Sequence, residues 1–139
     1  MTTVDIAERK STLRAIFFLC FAAALLLLLL AIFSGGPDFL NGLWAGLMLG
    51  AALNLTPVAR WLKPNSAITR MLDDESTRDR RGRATTAGFW AAFAASIVLT
   101  VVARYDAAMV AYDAVRVIGT AAMMATLIAF ATLELRANR

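Results

Sequence analysis

The chain has 139 residues and a net charge of +4, 60% of its residues are hydrophobic, and its mean hydropathy is +0.66. Since ordinary soluble domains are about 45 to 50% apolar, this composition argues against a soluble protein and predicts a membrane protein. A single cysteine, Cys20, and the lack of histidine exclude a disulfide framework and a Cys/His metal site, so we expect no metal and no cofactor.

The first apolar segment, residues 13–33, is long enough to be a transmembrane helix, because about 20 helical residues cross about 30 Å of hydrocarbon. Its length, and the lack of a clear cleavage site, distinguish it from a signal peptide. Glycine and proline then predict a turn, and a second apolar span follows over residues 39–59. The residues of the turn are Ser34, Gly35, Gly36, Pro37 and Asp38.

The second span carries Gly42, Gly46 and Gly50 at every fourth position, and Asn54 continues the row. Positions four apart share one helical face, so the row predicts a groove for close helix packing, with the Asn54 amide available for a hydrogen bond between helices. Packing within the chain is the favoured interpretation, with small residues of the third span such as Gly88 meeting the groove. The alternative is the seam of a homodimer.

Residues 60–83 form the one large polar loop, and the third and fourth spans follow over residues 84–104 and 114–134. Acidic residues come first in the sequence 73–83 and basic residues follow, running directly into the third span. Acidic side chains favour the positive N-terminal end of a helix. We therefore expect a helix that begins in the loop, with Asp74 and Arg78 as an exposed pair, and continues without a break into the membrane.

The lysine and arginine residues predict the orientation of the spans. Arg9, Lys10 and Arg14 lie before the first span or at its very start, seven lie in residues 60–83 and two follow the fourth span, so that twelve of the fourteen fall on one side. Basic residues are retained in the cytoplasm. The sequence predicts one all-α domain over residues 1–139, a polytopic membrane protein with a four-transmembrane-helix bundle, in the bacterial inner membrane with both termini cytoplasmic.

An enzyme or a proton-coupled transporter needs reactive or ionisable side chains inside the bundle. The middles of the four spans carry no charged residue, and the hydroxyls of Thr100, Thr120 and Thr126 have no partner that the sequence identifies. The first span lacks the glutamate on which small four-helix multidrug exporters depend. We therefore expect a protein that is not an enzyme and has no catalytic residue.

The loop contains an Asp-Glu-x-Thr-Arg-x-x-Arg pattern just before the third span. It is formed by Asp74, Glu75, Thr77, Arg78 and Arg81. This stretch resembles the loop of small four-span bacterial membrane proteins that are thought to accompany XRE-type helix-turn-helix transcription regulators. The resemblance implies a membrane-bound anti-activator, whose loop sequesters a small cytoplasmic regulator.

The resemblance also implies a set of docking residues on this loop. Its acidic side chains would engage arginines that the regulator otherwise places on DNA, while its basic side chains would pair with acidic residues of the regulator. The predicted docking residues are Asp73, Asp74, Glu75, Thr77, Arg78, Arg80 and Arg81.

Other interpretations stay open. The same arginines are suited to anchoring a solvated helix at anionic lipid headgroups, and a basic patch held against such a membrane is not expected to bind nucleic acid directly. The protein is alternatively a small oligomeric transporter or channel, with a path lined by Asn54, Thr56 and hydroxyls of the third and fourth spans. A further alternative is an accessory subunit of a larger membrane complex.

Overall fold

The computed structural model describes residues 3–56, 75–105 and 111–137, which form four α-helices. The helices are α1 (Thr3–Phe33), α2 (Phe39–Leu55), α3 (Glu75–Tyr105) and α4 (Ala111–Ala137). The described part of the chain contains no β-strand, so the predicted all-α class is confirmed.

Three helical segments are long and apolar enough to cross a membrane. They are Ser11–Phe33, Thr77–Ala103 and Ala111–Ala137. Helix α2 is apolar too but has 17 residues, or about 26 Å at 1.5 Å per residue. The predicted second span extends to residue 59, and its last three positions lie outside the described residues. Many large apolar side chains point outward, as expected where lipid surrounds a bundle.

Two helices extend beyond the predicted spans on the side of their N-termini. Helix α1 begins at Thr3, well before residue 13. Helix α3 begins at Glu75 and continues to Tyr105, so the expected unbroken helix from the polar loop into the third apolar segment is confirmed. The last residues of the predicted loop, 75–83, are therefore helical.

The turn between α1 and α2 depends on two glycines. Gly35 adopts a φ of 83°, a left-handed conformation that glycine enters without steric cost. The amide of Gly36 donates to the carbonyl of Ala31 at 3.0 Å, and a Cβ at Gly36 would lie 2.6 Å from Leu40 Cδ1. The chain therefore reverses sharply here, and α2 packs back against α1.

Helix α4 is the centre of the bundle, because it packs against α3, α1 and α2. Its contact with α3 is tightest at Gly88, where a Cβ would lie 2.0 Å from Thr126 Oγ1 and 2.8 Å from the carbonyl oxygen of Ala122. The expectation that the small residues of the third span meet the glycine row of the second is therefore wrong at Gly88. The missing side chain of Gly88 provides the space in which α4 approaches α3.

The buried face of α4 is uncharged in the middle and charged at both ends. Leu127 and Phe130 lie in the core with Phe18 and Leu25 of α1. Arg116 and Glu134, both buried, lie about five helical turns apart, or roughly 27 Å, and therefore on the same face. This distance is close to the roughly 30 Å thickness of the hydrocarbon core.

Candidate functional site

The first turns of α3, residues 75–83, carry most of the charged side chains of the helix, and we call them the charged segment. Thr77 is 8% exposed and Ala84 is fully buried. These two residues are seven positions apart and share a helical face, so packing of this face against the bundle sets the rotation of the segment. The opposite face is therefore held outward.

The outward face of the charged segment displays Arg78, Asp79 and Arg83, all of which are exposed. Arg83 Nε donates to Asp79 Oδ2 at 3.0 Å, one helical turn away. Because both side chains are well exposed, this ion pair contributes at most a few tenths of a kcal/mol to helix stability. Its charges remain accessible to a binding partner.

The predicted docking residues are not all on this outward face. Thr77 is buried, because it lies on the packed face, and is therefore removed from the predicted docking surface. Arg80 and Arg81 are half-buried and already take part in interactions. Asp73 and Asp74 lie outside the described residues, as does the predicted pair of Asp74 with Arg78. The backbone of Glu75 begins α3.

A polar cluster lies at the end of the bundle where α1 begins and α4 ends. We call it the inner cluster, and it consists of Ser11, Arg14 and Glu134. Ser11 Oγ donates to Glu134 Oε1 at 3.1 Å, and Arg14 donates to both carboxylate oxygens. Because Glu134 is 1% exposed, these bonds compensate a carboxylate that has lost its water.

Arg14 also contacts an aromatic ring, since its guanidinium carbon lies 5.1 Å from the ring centroid of Phe130. The sequence placed Glu134 near a membrane interface but did not suggest that it is buried or paired. Arg14 and Glu134 are 120 positions apart, so no helical spacing connects them. The inner cluster joins α1 to α4.

The outer cluster lies at the opposite end of α4 and consists of Asn41, Tyr112, Asp113 and Arg116. Arg116 Nη1 donates to Asp113 Oδ1 at 3.1 Å, and Nη2 donates to Asn41 Oδ1 at 2.8 Å. The Tyr112 ring centroid lies 3.8 Å from the guanidinium carbon. Arg116 Nε is buried and has no acceptor among the described residues.

One turn further into the bundle, Trp44 Nε1 donates to Thr120 Oγ1 at 2.9 Å. The sequence identified no partner for Thr120, so this contact was missed. The three-residue spacing of Asp113 and Arg116 was the only local signal of the outer cluster. The contacts made by Asn41 and Trp44 depend on how α2 packs on α4.

The glycine row on α2 lies largely on the outer surface of the bundle. A Cβ at Gly42 or Gly46 would meet no heavy atom within 4 Å in residues 3–56, 75–105 and 111–137, and one at Gly50 would lie 3.9 Å from Phe21. The amide of Asn54 donates to the carbonyl of Gly50 at 2.8 Å, within the same helix. The expected packing of this row within the chain is therefore not seen at Gly42 and Gly46.

The side chains expected to line a transport path also bond within their own helices. Thr56 Oγ1 donates to the carbonyl of Leu53 at 3.1 Å, and Ser96 and Thr100 each donate to the carbonyl four residues earlier at 2.8 Å. In α2 and α3, therefore, these hydroxyls donate within their own helix or to its last turn, and not to a neighbouring helix. The described helices also contain no group of three or more His, Cys, Asp or Glu residues able to hold a metal ion.

Comparisons of the chain with protein-family models, with curated proteins and with solved structures find no match. The resemblance of residues 74–81 to the loop of small four-span bacterial membrane proteins therefore stays a prediction. The charged side chains at the two ends of the bundle are the features from which a function is inferred.

Proposed function

We propose that the protein is a non-enzymatic membrane regulator that binds a small cytoplasmic helix-turn-helix transcription factor through its charged segment. The observation that carries the proposal is the continuity of α3 from an apolar segment into residues 75–83. Since Thr77 and Ala84 face the bundle, Arg78 and Asp79 are held outward on a preformed helix. Preorganisation lowers the conformational entropy that the charged segment itself loses on binding a partner.

The membrane arrangement proposed with this function has four spans, in the bacterial inner membrane, with both termini and residues 60–83 in the cytoplasm. The inner cluster supports it, because it joins the first part of α1 to the last part of α4. Helices α3 and α4 pack extensively and are connected by residues 106–110, so α3 begins at that same end. The chain therefore crosses back between α1 and α3, and α2 supplies the crossing.

Positive charge on this side supports the same orientation. Twelve of the fourteen lysine and arginine residues lie before the first span or at its very start, in residues 60–83 or after the fourth span. Such residues are retained in the cytoplasm. The charged segment would then extend directly from the membrane into the compartment that contains transcription factors.

Pairing of individual side chains, and not the net charge of the segment, is the proposed basis for binding a DNA-binding partner. The DNA-contacting surface of a helix-turn-helix regulator is rich in arginine and lysine, which Asp79 and the acidic residues 73–75 are suited to bind. Arg78 and Arg83 are suited to acidic groups on the same partner. A regulator held in this way has its phosphate-binding side chains occupied and cannot bind its operator.

The experiment compares the wild-type protein with an Arg78→Glu variant, both full-length and in lipid nanodiscs. Photo-crosslinking in cells from position 82, an exposed position one helical turn after Arg78, identifies the partner. A gel-shift assay then measures how each nanodisc sample inhibits DNA binding by that partner. We expect the wild-type protein to inhibit and the variant to lose inhibition by about tenfold or more, the effect of reversing one interfacial charge.

Arg9→Glu is the matched control, because Arg9 is also exposed, has the same charge and lies on the proposed cytoplasmic side. It should inhibit as the wild-type protein does. The proposal fails if Arg78→Glu and Arg9→Glu behave alike, or if position 82 crosslinks only to membrane proteins. The last result would favour an accessory subunit of a membrane complex.

The proposal includes a homodimer formed through the glycine row of α2. Gly42 and Gly46 lie on the outer surface, where they leave a shallow groove in an otherwise bulky apolar helix. Rows of small residues allow two helix backbones to approach closely in lipid. A dimer would display two charged segments, which suits the symmetric dimers in which many helix-turn-helix regulators bind DNA.

A further inference from the structure

The outer cluster contains a buried cation whose hydrogen-bonding capacity is only partly used. Arg116 has a side chain that is 7% exposed, and a guanidinium group carries five N–H donors. Asp113 and Asn41 accept from its two terminal nitrogens, while Nε has no acceptor within the described helices. Because a buried unpaired donor is costly, its presence indicates a missing oxygen acceptor.

The charges around Arg116 Nε restrict which kind of chemical group can be its missing acceptor. Arg116 and Asp113 form an ion pair, so the cluster has no net charge to attract a simple anion. A positive and a negative group lie side by side, and the ring of Tyr112 adds a surface that attracts cations. A zwitterion that carries a phosphate and a primary ammonium group matches all three side chains.

We propose that the outer cluster binds the phosphoethanolamine headgroup of a membrane lipid. A phosphate oxygen accepts the hydrogen bond of Arg116 Nε, and the ammonium group donates to the Asp113 carboxylate and lies against the Tyr112 ring. The cluster lies in the first turns of α4, at one end of a helix that is long and apolar enough to cross a membrane, where headgroups would meet acyl chains. The neighbouring Val115 is exposed and gives the acyl chains an apolar contact.

Tyr112 controls access to this site. Its ring centroid lies 3.8 Å from the guanidinium carbon and covers it, yet the residue is 56% exposed. Exposed side chains change rotamer within nanoseconds, so the ring can leave the guanidinium group, admit a headgroup and then pack against its ammonium group. The proposal depends on the outer cluster lying at the membrane surface and is independent of what the charged segment binds.

The experiment is native mass spectrometry of the full-length protein in detergent, with phosphatidylethanolamine, phosphatidylglycerol and phosphatidylcholine supplied in equal amounts. We expect phosphatidylethanolamine to be retained preferentially. The other two lipids share its phosphate, but one lacks a cation and the other has a quaternary cation without N–H donors. The Asp113→Asn variant should lose this preference by about tenfold, the effect of one charge-assisted hydrogen bond. The Arg116→Lys variant should instead retain less of all three lipids, because they share the phosphate.

Asp79→Asn is the matched control, since Asp79 is an ion-paired aspartate on the other end of the bundle. It should retain the wild-type preference. Asp113 is partly exposed, so Asp113→Asn provides the test even if Arg116→Lys does not fold. The headgroup belongs either to a lipid or to a soluble molecule, and addition of soluble glycerophosphoethanolamine distinguishes these two sources. Displacement of the bound lipid at equal concentration would assign the site to a soluble ligand.

Equal retention of the three lipids, or an unchanged preference in Asp113→Asn, would overturn the proposal. Both readouts are separate from the gel-shift assay of the charged segment. Failure of one proposal is thus distinguishable from failure of the other.

Discussion

Arg14 donates hydrogen bonds from Nε to both carboxylate oxygens of Glu134, at 3.0 and 3.1 Å, and thereby joins the first part of α1 to the last part of α4. Glu134 is almost completely buried, while Arg14 retains contact with solvent. Removal of either partner would leave a charge in a poorly solvated position. The inner cluster therefore stabilises the contact between α1 and α4, at the end of the bundle from which the charged segment extends.

We expect Arg14→Ala to lower the free energy of unfolding by about 3 kcal/mol, because Glu134 would then be buried without its main partner. Unfolding in detergent by a denaturant series provides the measurement. Arg9→Ala, which removes an exposed arginine from the same helix, should change it by less than about 0.5 kcal/mol. Adding Glu134→Gln to Arg14→Ala should recover part of the loss. Equal effects of the two arginine variants would refute the stabilising role of the Arg14–Glu134 pair.

Gly88→Ala should destabilise the bundle by about 1 to 2 kcal/mol, although alanine favours helices. The added Cβ would clash with Thr126 Oγ1 and with the backbone of Ala122, and so separate α3 from α4. Gly82→Ala, on the same helix, meets no heavy atom within 4 Å in the described structure and should stabilise by up to about 1 kcal/mol. Opposite signs in the two unfolding measurements are the expected outcome, and stabilisation by both would contradict the close packing at Gly88.

The bond from Trp44 to Thr120 should contribute about 1 kcal/mol to stability, because the Thr120 hydroxyl is buried. A double-mutant cycle with Trp44→Phe and Thr120→Val measures this value in the same unfolding assay. The two changes should be less than additive, since either one removes the bond. Full additivity would mean that the bond contributes nothing.

Gly46→Leu should weaken the proposed dimer by about tenfold or more, since a bulky side chain would fill the groove of α2. Energy transfer between labelled protomers in nanodiscs or detergent measures the association. Ala94→Leu is the control, because Ala94 is an exposed small residue on α3, away from the groove. If both variants associate as the wild-type protein does, the glycine row is not the seam.

The proposed orientation is tested with single cysteines in a Cys20→Ser background. In intact cells whose outer surface is open to a membrane-impermeant thiol reagent, Asp38→Cys should be labelled and Arg78→Cys should not. Asp38 lies in the turn between α1 and α2, and Arg78 in the charged segment, and both are exposed. The reverse labelling pattern would place the charged segment outside the cytoplasm and end the docking proposal.

The amino-acid sequence by itself determined the helices of this protein and where they turn. Long apolar runs form helices in lipid because the backbone must satisfy its own hydrogen bonds there, and glycine and proline end those helices. The acidic-to-basic order of residues 73–83 likewise predicted that α3 begins before its apolar part. These features are local, and local chemistry sufficed for them.

Only the tertiary structure decided which helix faces meet. Gly88 packs against Thr126 of α4, not against the glycine row of α2, and Glu134 meets an arginine 120 positions away. The physical reason is that a helix in lipid is apolar on its packed side and on its lipid-facing side alike, so hydrophobic periodicity carries little information about its neighbours. The packed side differs from the lipid-facing side in its close steric fit and in its hydrogen bonds to residues that are distant in the sequence. Both features arise only when the helices pack.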